Sequence, residues 1–516
     1  MTIMSFAAAV AAAFFLAGLV TILLRRASRP NGLAVDLVFD TAATRAREGW
    51  TKFWSRDPFI HGQRERKGTP FATYAVPGGR DSIVTRFAAN DLQHHTLVLG
   101  STGSGKSTLL ESLAHEHFRA KRPLALIDLH GDLYARAAAL ALHEKVQRLV
   151  LVDFTKPDLL PGWNPLDRMP GVDVGRQVDL LVSVLKRLYS DEVAASWAWG
   201  VKVEELMRAA LRACIESASL FSLADLPSFF LVPAVREGVL ASAPESARDY
   251  FTTQYGAREE MYASAVVNKL TPFLGSVAVQ RFLGQPRSTF DLFGAIDRGD
   301  TVLINLAAGY LGPAAKVMGR LIVNTLQVAT LRREAVSLDK RYPYSLIIDE
   351  AHALAGADSG LEDFLVAARK YGVFVTLAAQ GLSLFPPSFR PHLLGNTGRQ
   401  FFFRLPYSEA KALANDVLEP LGTVFRHQIR PNDAIDDPLL TPAEEMAWRT
   451  RELANLPVGA CYWFMKERPY KARRIQILQP PPWPFPPSQL DTRIRASVLD
   501  GRRAEQSNAA ATPLTA

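Results

Sequence analysis

Cysteine is nearly absent: Cys214 and Cys461 are the only two thiols in 516 residues. Both stand in apolar surroundings without metal-ligand spacing nearby. That excludes a disulfide scaffold or a Cys/His zinc centre and fits buried free thiols in a reducing compartment. Also missing is any motif that reads nucleic-acid bases. Excess charge is modest, since 59 Lys and Arg against 51 Asp and Glu leave a formal +8. Such a balance suits a polyanionic partner or an anionic lipid surface and does not choose between them. Charge is wholly lacking from Ile3 to Leu24, an apolar run of about 22 residues, enough to cross a hydrocarbon core of roughly 30 Å as a helix. No positive charge precedes this run and no small-residue cleavage site follows it. Arg25, Arg26 and Arg29 come directly after, the reverse of a secretory signal. The expectation is a single membrane anchor with the N-terminus outside and the rest of the chain in the cytoplasm.

What the chain does have is a large globular portion. Its length predicts two or three domains and its 48% hydrophobic content supplies their cores. The stretch Gly100-Ser101-Thr102-Gly103-Ser104-Gly105-Lys106-Ser107 is a complete G-x-x-x-x-G-K-[ST] phosphate loop. It follows the apolar run Thr96 to Leu99 and leads, through Thr108, into a helix-forming segment, the strand–loop–helix setting the motif requires. Glycines let backbone N–H groups turn toward phosphates, Lys106 brings a mobile cation, and Ser107 offers a hydroxyl to Mg²⁺. A nucleoside triphosphate, ATP, with Mg²⁺ is the expected ligand pair. Ser345-Leu-Ile-Ile-Asp349-Glu350 reads as a buried parallel strand carrying carboxylates at its C-terminal edge, where ligands of open α/β sheets sit. There Asp349 would hold the Mg²⁺ shell and Glu350 would polarise the attacking water.

The fold class expected is α/β with a mostly parallel, doubly wound sheet, because strands at 123–129, 148–153, 301–305, 345–348, 374–378 and 400–404 alternate with helices. Residues 1–29 form the anchor, and 30–91 a stalk with a short β-rich lead-in. The motor domain takes 92–170 and 298–479. Between them the strand pattern disappears, and helical spacing of apolar residues marks an all-α insertion over 171–297. An apolar pair near the end predicts a β-hairpin around Glu467 to Tyr470, and the Pro-rich 480–516 reads as extended and mostly disordered.

Taken together, these motifs resemble the HerA/FtsK superfamily of P-loop DNA pumps, and within it the type IV coupling proteins of conjugation and secretion. The resemblance runs from about Thr96 to Leu405. It rests on the phosphate loop, the Asp349-Glu350 pair, the helical insertion, Asp128-Leu-His-Gly-Asp132, Trp163-Asn164-Pro165-Leu166, and the stretches Ala368 to Gly372 and Leu394 to Leu405. It implies a RecA-like P-loop NTPase with Gln380 sensing the γ-phosphate. Arg369, Arg399 and Arg404 become candidates for an arginine finger presented to a neighbouring subunit in a homo-hexamer. It further implies sequence-independent threading of single-stranded DNA at the bacterial inner membrane, beside a relaxase or other secretion-system components. A protein-dislocating secretion ATPase or a HerA-like helicase would share the same core.

Overall fold

The computed structural model describes residues 68–75, 82–87, 89–186, 200–355, 361–417, 441–466 and 473–511. The apolar run at 3–24 and most of the stalk lie outside the described residues. Among those that are described, no helix is long and apolar enough to cross a membrane.

One 11-stranded sheet organises the chain, in the order β2-β1-β11-β10-β9-β3-β8-β7-β4-β6-β5. Its parallel part runs from β9 (Arg399–Phe402) through β3 (Thr96–Leu99), β8 (Val373–Ala379), β7 (Tyr344–Ile348), β4 (Leu124–Asp128) and β6 (Thr301–Asn305) to β5 (Leu149–Asp153). Every residue of β3, β4, β6, β7, β8 and β9 is buried, as expected of strands covered on both faces. The helices Lys106–Arg119 (α1) and Asp132–His143 (α2) cover one face. Their apolar side chains Leu109, Leu113, Leu133 and Ala137 pack in one cluster with Val98, Leu126 and Ile347 of the strands.

Two boundaries differ from the sequence reading. The lead-in is not separate from the motor: β1 (Thr69–Ala75) pairs antiparallel with β2 (Ser82–Phe87) and with β11 (Arg473–Ile477), which forms the expected hairpin with β10 (Ala460–Met465). Phe71 stacks on Phe87 and meets Trp463 edge-on, so the lead-in completes an aromatic core that the hairpin alone would leave open. The tail is the second correction. Residues Leu490–Ala511 form a helix, because Leu490, Ile494 and Val498 at i, i+4 and i+8 make an apolar stripe that packs on the core beside α2 and β5. Ion pairs fix its start, Lys156 to Asp491 at 2.6 Å and Arg495 to Asp158 at 2.6 Å. The Pro-rich stretch before it is held as well, with Arg136 of α2 lying 4.5 Å over the Trp483 ring and donating to the Pro481 carbonyl.

The helical insertion contains Val174–Leu185 (α3), Val201–Glu216 (α4) and Ala257–Leu274 (α5), with shorter helices between. Asn164 pins its neck. The side chain donates to the carbonyls of Phe221 and Pro286, while its backbone N–H donates to Ser288 Oγ. The Asn-Pro-Leu stretch therefore ties the chain entering the insertion to the chain leaving it, a structural task that satisfies buried polar groups.

Candidate functional site

The phosphate loop begins where β3 ends, between its neighbours β8 and β9. Gly100 N–H donates to Ala379 O at 3.1 Å, and Ser101 N–H to Arg404 O at 2.8 Å. Gly103 and Gly105 hold φ of +70° and +114°, a region that L side chains rarely enter. Close packing adds a second reason for glycine. A Cβ on Gly100 would stand 2.5 Å from Phe403 Cβ, and one on Gly105 would stand 3.0 Å from Gly459 Cα. Gly459 N–H in turn donates to Ser104 O at 2.8 Å, so the turn before β10 braces the loop from outside. Phe403 and Gly459 carry no chemical signature in the sequence, and reasoning from motifs alone passes over them.

Lys106 is buried and folds back on the loop, donating from Nζ to Gly100 O at 2.7 Å and to Ser101 O at 3.3 Å. Burial draws its ammonium pKa below the usual range, opposed by the carboxylates of Glu350 and Asp349. Ser107 is exposed at the start of α1, Thr108 is half-buried, and Thr102 and Gly103 face solvent. Ser104 Oγ is buried without a hydrogen-bond partner in the structure.

Opposite the loop, β7 delivers the two acids. Asp349 N–H continues the ladder to Ile127 O, and Asp349 Oδ1 accepts from Glu350 N–H at 3.0 Å. Burial, with the charges of Asp128 and Glu350, pushes the Asp349 carboxyl up to about 6. Asp128, the next carboxylate along the edge, is committed to the fold: its oxygens accept from the N–H groups of His130 and Tyr134, both at 2.9 Å, capping α2. His130 and Asp132 are exposed at that turn, so the capping belongs to Asp128.

Glu350 adopts φ +49°, an uncommon conformation for a residue with a long side chain and a form of strain that gathers at functional sites. The resulting turn aims its carboxylate toward the end of β8, where Gln380 Nε2 donates to Glu350 Oε1 at 3.0 Å. Thus the loop lysine, both acids and the glutamine meet at one carboxyl edge of the sheet.

The three arginines separate. Arg399 is not available to a neighbouring subunit: it is buried, its Nη2 lies 2.6 Å from Asp91 Oδ1, and its Nε donates to Asp91 O. The finger expectation for Arg399 is therefore corrected, because the start of β9 lies against the turn at 89–93 and buries the guanidinium there. Arg399→Ala should cost about 3–5 kcal/mol by breaking a buried ion pair, a loss that denaturant unfolding would register. A true finger would lose activity while keeping stability. Arg404 is half-buried beside its own phosphate loop. Arg369 is exposed on the turn Ala368–Tyr371 before β8, at the amino edge and roughly 20 Å along the strand from Gln380.

Residues 79–214 match a family model described as "Helicase HerA, central domain". Among solved structures, the chain is similar to the plasmid coupling protein TrwB in complex with ADP and Mg²⁺, at 18% identity over 83% of this chain and 93% of that one, with a TM-score of 0.55. TrwB with the GTP analogue GDPNP matches at 17% identity over 84% and 94%, TM-score 0.54. VirB4 of Thermoanaerobacter pseudethanolicus matches at 13% identity over 81% and 98%, TM-score 0.50. No curated protein matches the sequence. These likenesses bear out the resemblance to HerA-type P-loop motors at the level of fold.

Proposed function

We propose that this chain is an ATP-driven motor of the coupling-protein type, anchored in the bacterial inner membrane by residues 3–24 and translocating DNA as a homo-hexamer. The observation that carries the reading is the Glu350–Gln380 hydrogen bond at the same sheet edge as Lys106 and Asp349. A structural nucleotide-binding scaffold has no need of a strained acid aimed at that edge.

The residues fit ATP and Mg²⁺. Glycines 100, 103 and 105 leave room that a Cβ would fill or strain, Lys106 lies buried within the loop, and the raised Asp349 carboxyl is a crowded acid that a cation would relieve. Among the described residues there is no cluster of three His, Cys, Asp or Glu suited to a metal. Mg²⁺ keeps most of its waters and takes one carboxylate, a Ser hydroxyl and phosphate oxygens. When bound, the ion would neutralise charge on the transferring phosphoryl group. Asp349 and Ser107 would hold it, and the backbone N–H groups from Ser101 to Thr108 with Lys106 would hold phosphates. Glu350 would take the proton of the attacking water, and Gln380 would report the γ-phosphate by releasing or keeping Glu350. Of the arginines, exposed Arg369 suits donation to a neighbour's nucleotide, whereas Arg404 meets its own loop through its backbone carbonyl, which accepts from Ser101 N–H.

DNA as cargo, a relaxase or secretion-system partner and the ring itself draw their support from the fold shared with TrwB. Purified full chain should show ATPase activity per subunit that rises with protein concentration and with single-stranded DNA, and added salt should remove that DNA stimulation. A concentration-independent ATPase that ignores DNA and responds to unfolded protein would overturn the pump reading in favour of a protein-dislocating secretion ATPase. A HerA-like helicase would respond to DNA but also unwind duplexes.

A further inference from the structure

The second oxygen of Glu350 is as constrained as the first. Oε1 accepts from Gln380, whereas Oε2 is buried without a hydrogen-bond partner in the structure. Facing it at 3.3 Å is His352 Nδ1, itself buried and without a hydrogen-bond partner. Two buried polar atoms of opposite need that stand this close are one soft carboxylate rotation from a hydrogen bond, and leaving either unmade is costly.

We infer that His352 is a positioning residue for Glu350, donating from Nδ1 to Oε2 so that the carboxylate is held from both oxygens by His352 and Gln380. The inference rests on the ATPase reading above. Local geometry makes it specific. The left-handed turn at Glu350 starts the short helix Ala351–Ala353, with Ala353 N–H donating to Glu350 O, and this brings position 352 back against the side chain of position 350. The imidazole is fixed from its other side by Phe385, edge to face at 6.3 Å between ring centroids. Burial draws the His352 pKa down, with Lys316 and Lys106 adding to that and Glu350 opposing it. In the neutral ring this favours, the tautomer with its proton on Nδ1 satisfies both atoms.

With His352 in place, Glu350 keeps one orientation whether or not Gln380 is engaged elsewhere. Without it, the carboxylate loses a donor and turns about its terminal torsion, which lowers the fraction of time spent facing the water that it must deprotonate. The effect belongs to the chemical step and leaves nucleotide affinity unchanged, because His352 does not belong to the phosphate loop.

Two substitutions separate hydrogen bonding from packing. His352→Phe keeps an aromatic ring against Phe385 and removes the donor, whereas His352→Asn sacrifices the ring and places an amide nitrogen near the Nδ1 position. Steady-state ATPase assays on the purified full chain should show kcat falling about tenfold in His352→Phe, with KM for ATP and equilibrium ATP affinity within about twofold. His352→Asn should recover most of the loss. In a Glu350→Gln background, His352→Phe should bring no further decrease, since the two act as a unit. Normal kcat in His352→Phe together with a loss in His352→Asn would assign the histidine to packing and overturn the inference. Absence of ATP turnover in the unaltered chain would instead overturn the ATPase reading itself.

Discussion

Glu350→Gln retains ATP binding and loses turnover by about 10²- to 10⁴-fold, the range spanned by positioned general bases. The substitution is close to isosteric. Its amide oxygen can still accept from Gln380 Nε2, now at 3.0 Å from the carboxylate, so the edge keeps its shape while the group that takes a proton from water is gone. Lys106 stays within the loop and Asp349 keeps its hydrogen bond to the backbone of position 350, which is why affinity is spared. Lys106→Ala gives the opposite pattern, weakening binding itself because the only buried cation of the loop is removed. Fluorescent-nucleotide titration beside a phosphate-release assay separates the two variants. Near-normal turnover in Glu350→Gln would remove Glu350 from the role of base. In a ring with shared sites, mixing this variant into unaltered protein should also depress activity by more than its mole fraction.

The parts of this site that sequence made legible are those written as local runs. Strands buried on both faces leave continuous apolar stretches, so Leu346-Ile-Ile348 before Asp349 and Thr96 to Leu99 before Gly100 announced both the sheet and its carboxyl edge. The helical insertion was legible for the same reason, through a change of period. Contacts between distant segments left no such trace. Ala72 pairs with Ile477, and nothing in either local pattern indicates that the lead-in and the final hairpin share a sheet. Arg399 stands among the finger candidates in the sequence because its partner Asp91 lies 308 positions upstream. Proline-rich composition hid the C-terminal helix, whose apolar stripe has meaning only once α2 and β5 provide a surface to cover. His352 was invisible as a functional residue for a subtler reason. Its proximity to Glu350 depends on the left-handed conformation at that position, and a long-side-chain acid is not where such a turn is expected.

Asp349→Asn makes the nucleotide-free protein more stable at neutral pH and, in the same molecule, abolishes Mg²⁺-dependent hydrolysis. The folded protein holds the Asp349 carboxyl up at about 6, against an ordinary value near 3.8, through burial first and the neighbouring charges of Asp128 and Glu350 second. A raised carboxyl pKa means that the folded state binds the proton more tightly than the unfolded chain. The stability this contributes is fully present below the unfolded pKa and is lost as pH rises through about 6. Above pH 7 the ionised group therefore costs the nucleotide-free fold on the order of 2–3 kcal/mol relative to an unshifted carboxylate. Asparagine carries no charge to bury, and its side-chain oxygen can still accept from Glu350 N–H, the bond that Asp349 Oδ1 makes at 3.0 Å. Thermal unfolding without nucleotide should show parent and variant melting together near pH 4 and separating between pH 4 and 7, with the variant higher. Mg²⁺ and ATP should then reverse the order at pH 8, because ligand that binds the folded state stabilises only the protein able to hold it. Coincident melting curves at pH 5 and pH 8 would show that Asp349 is not the crowded acid described here, and a variant that still hydrolyses ATP at the parental rate would take the metal away from it.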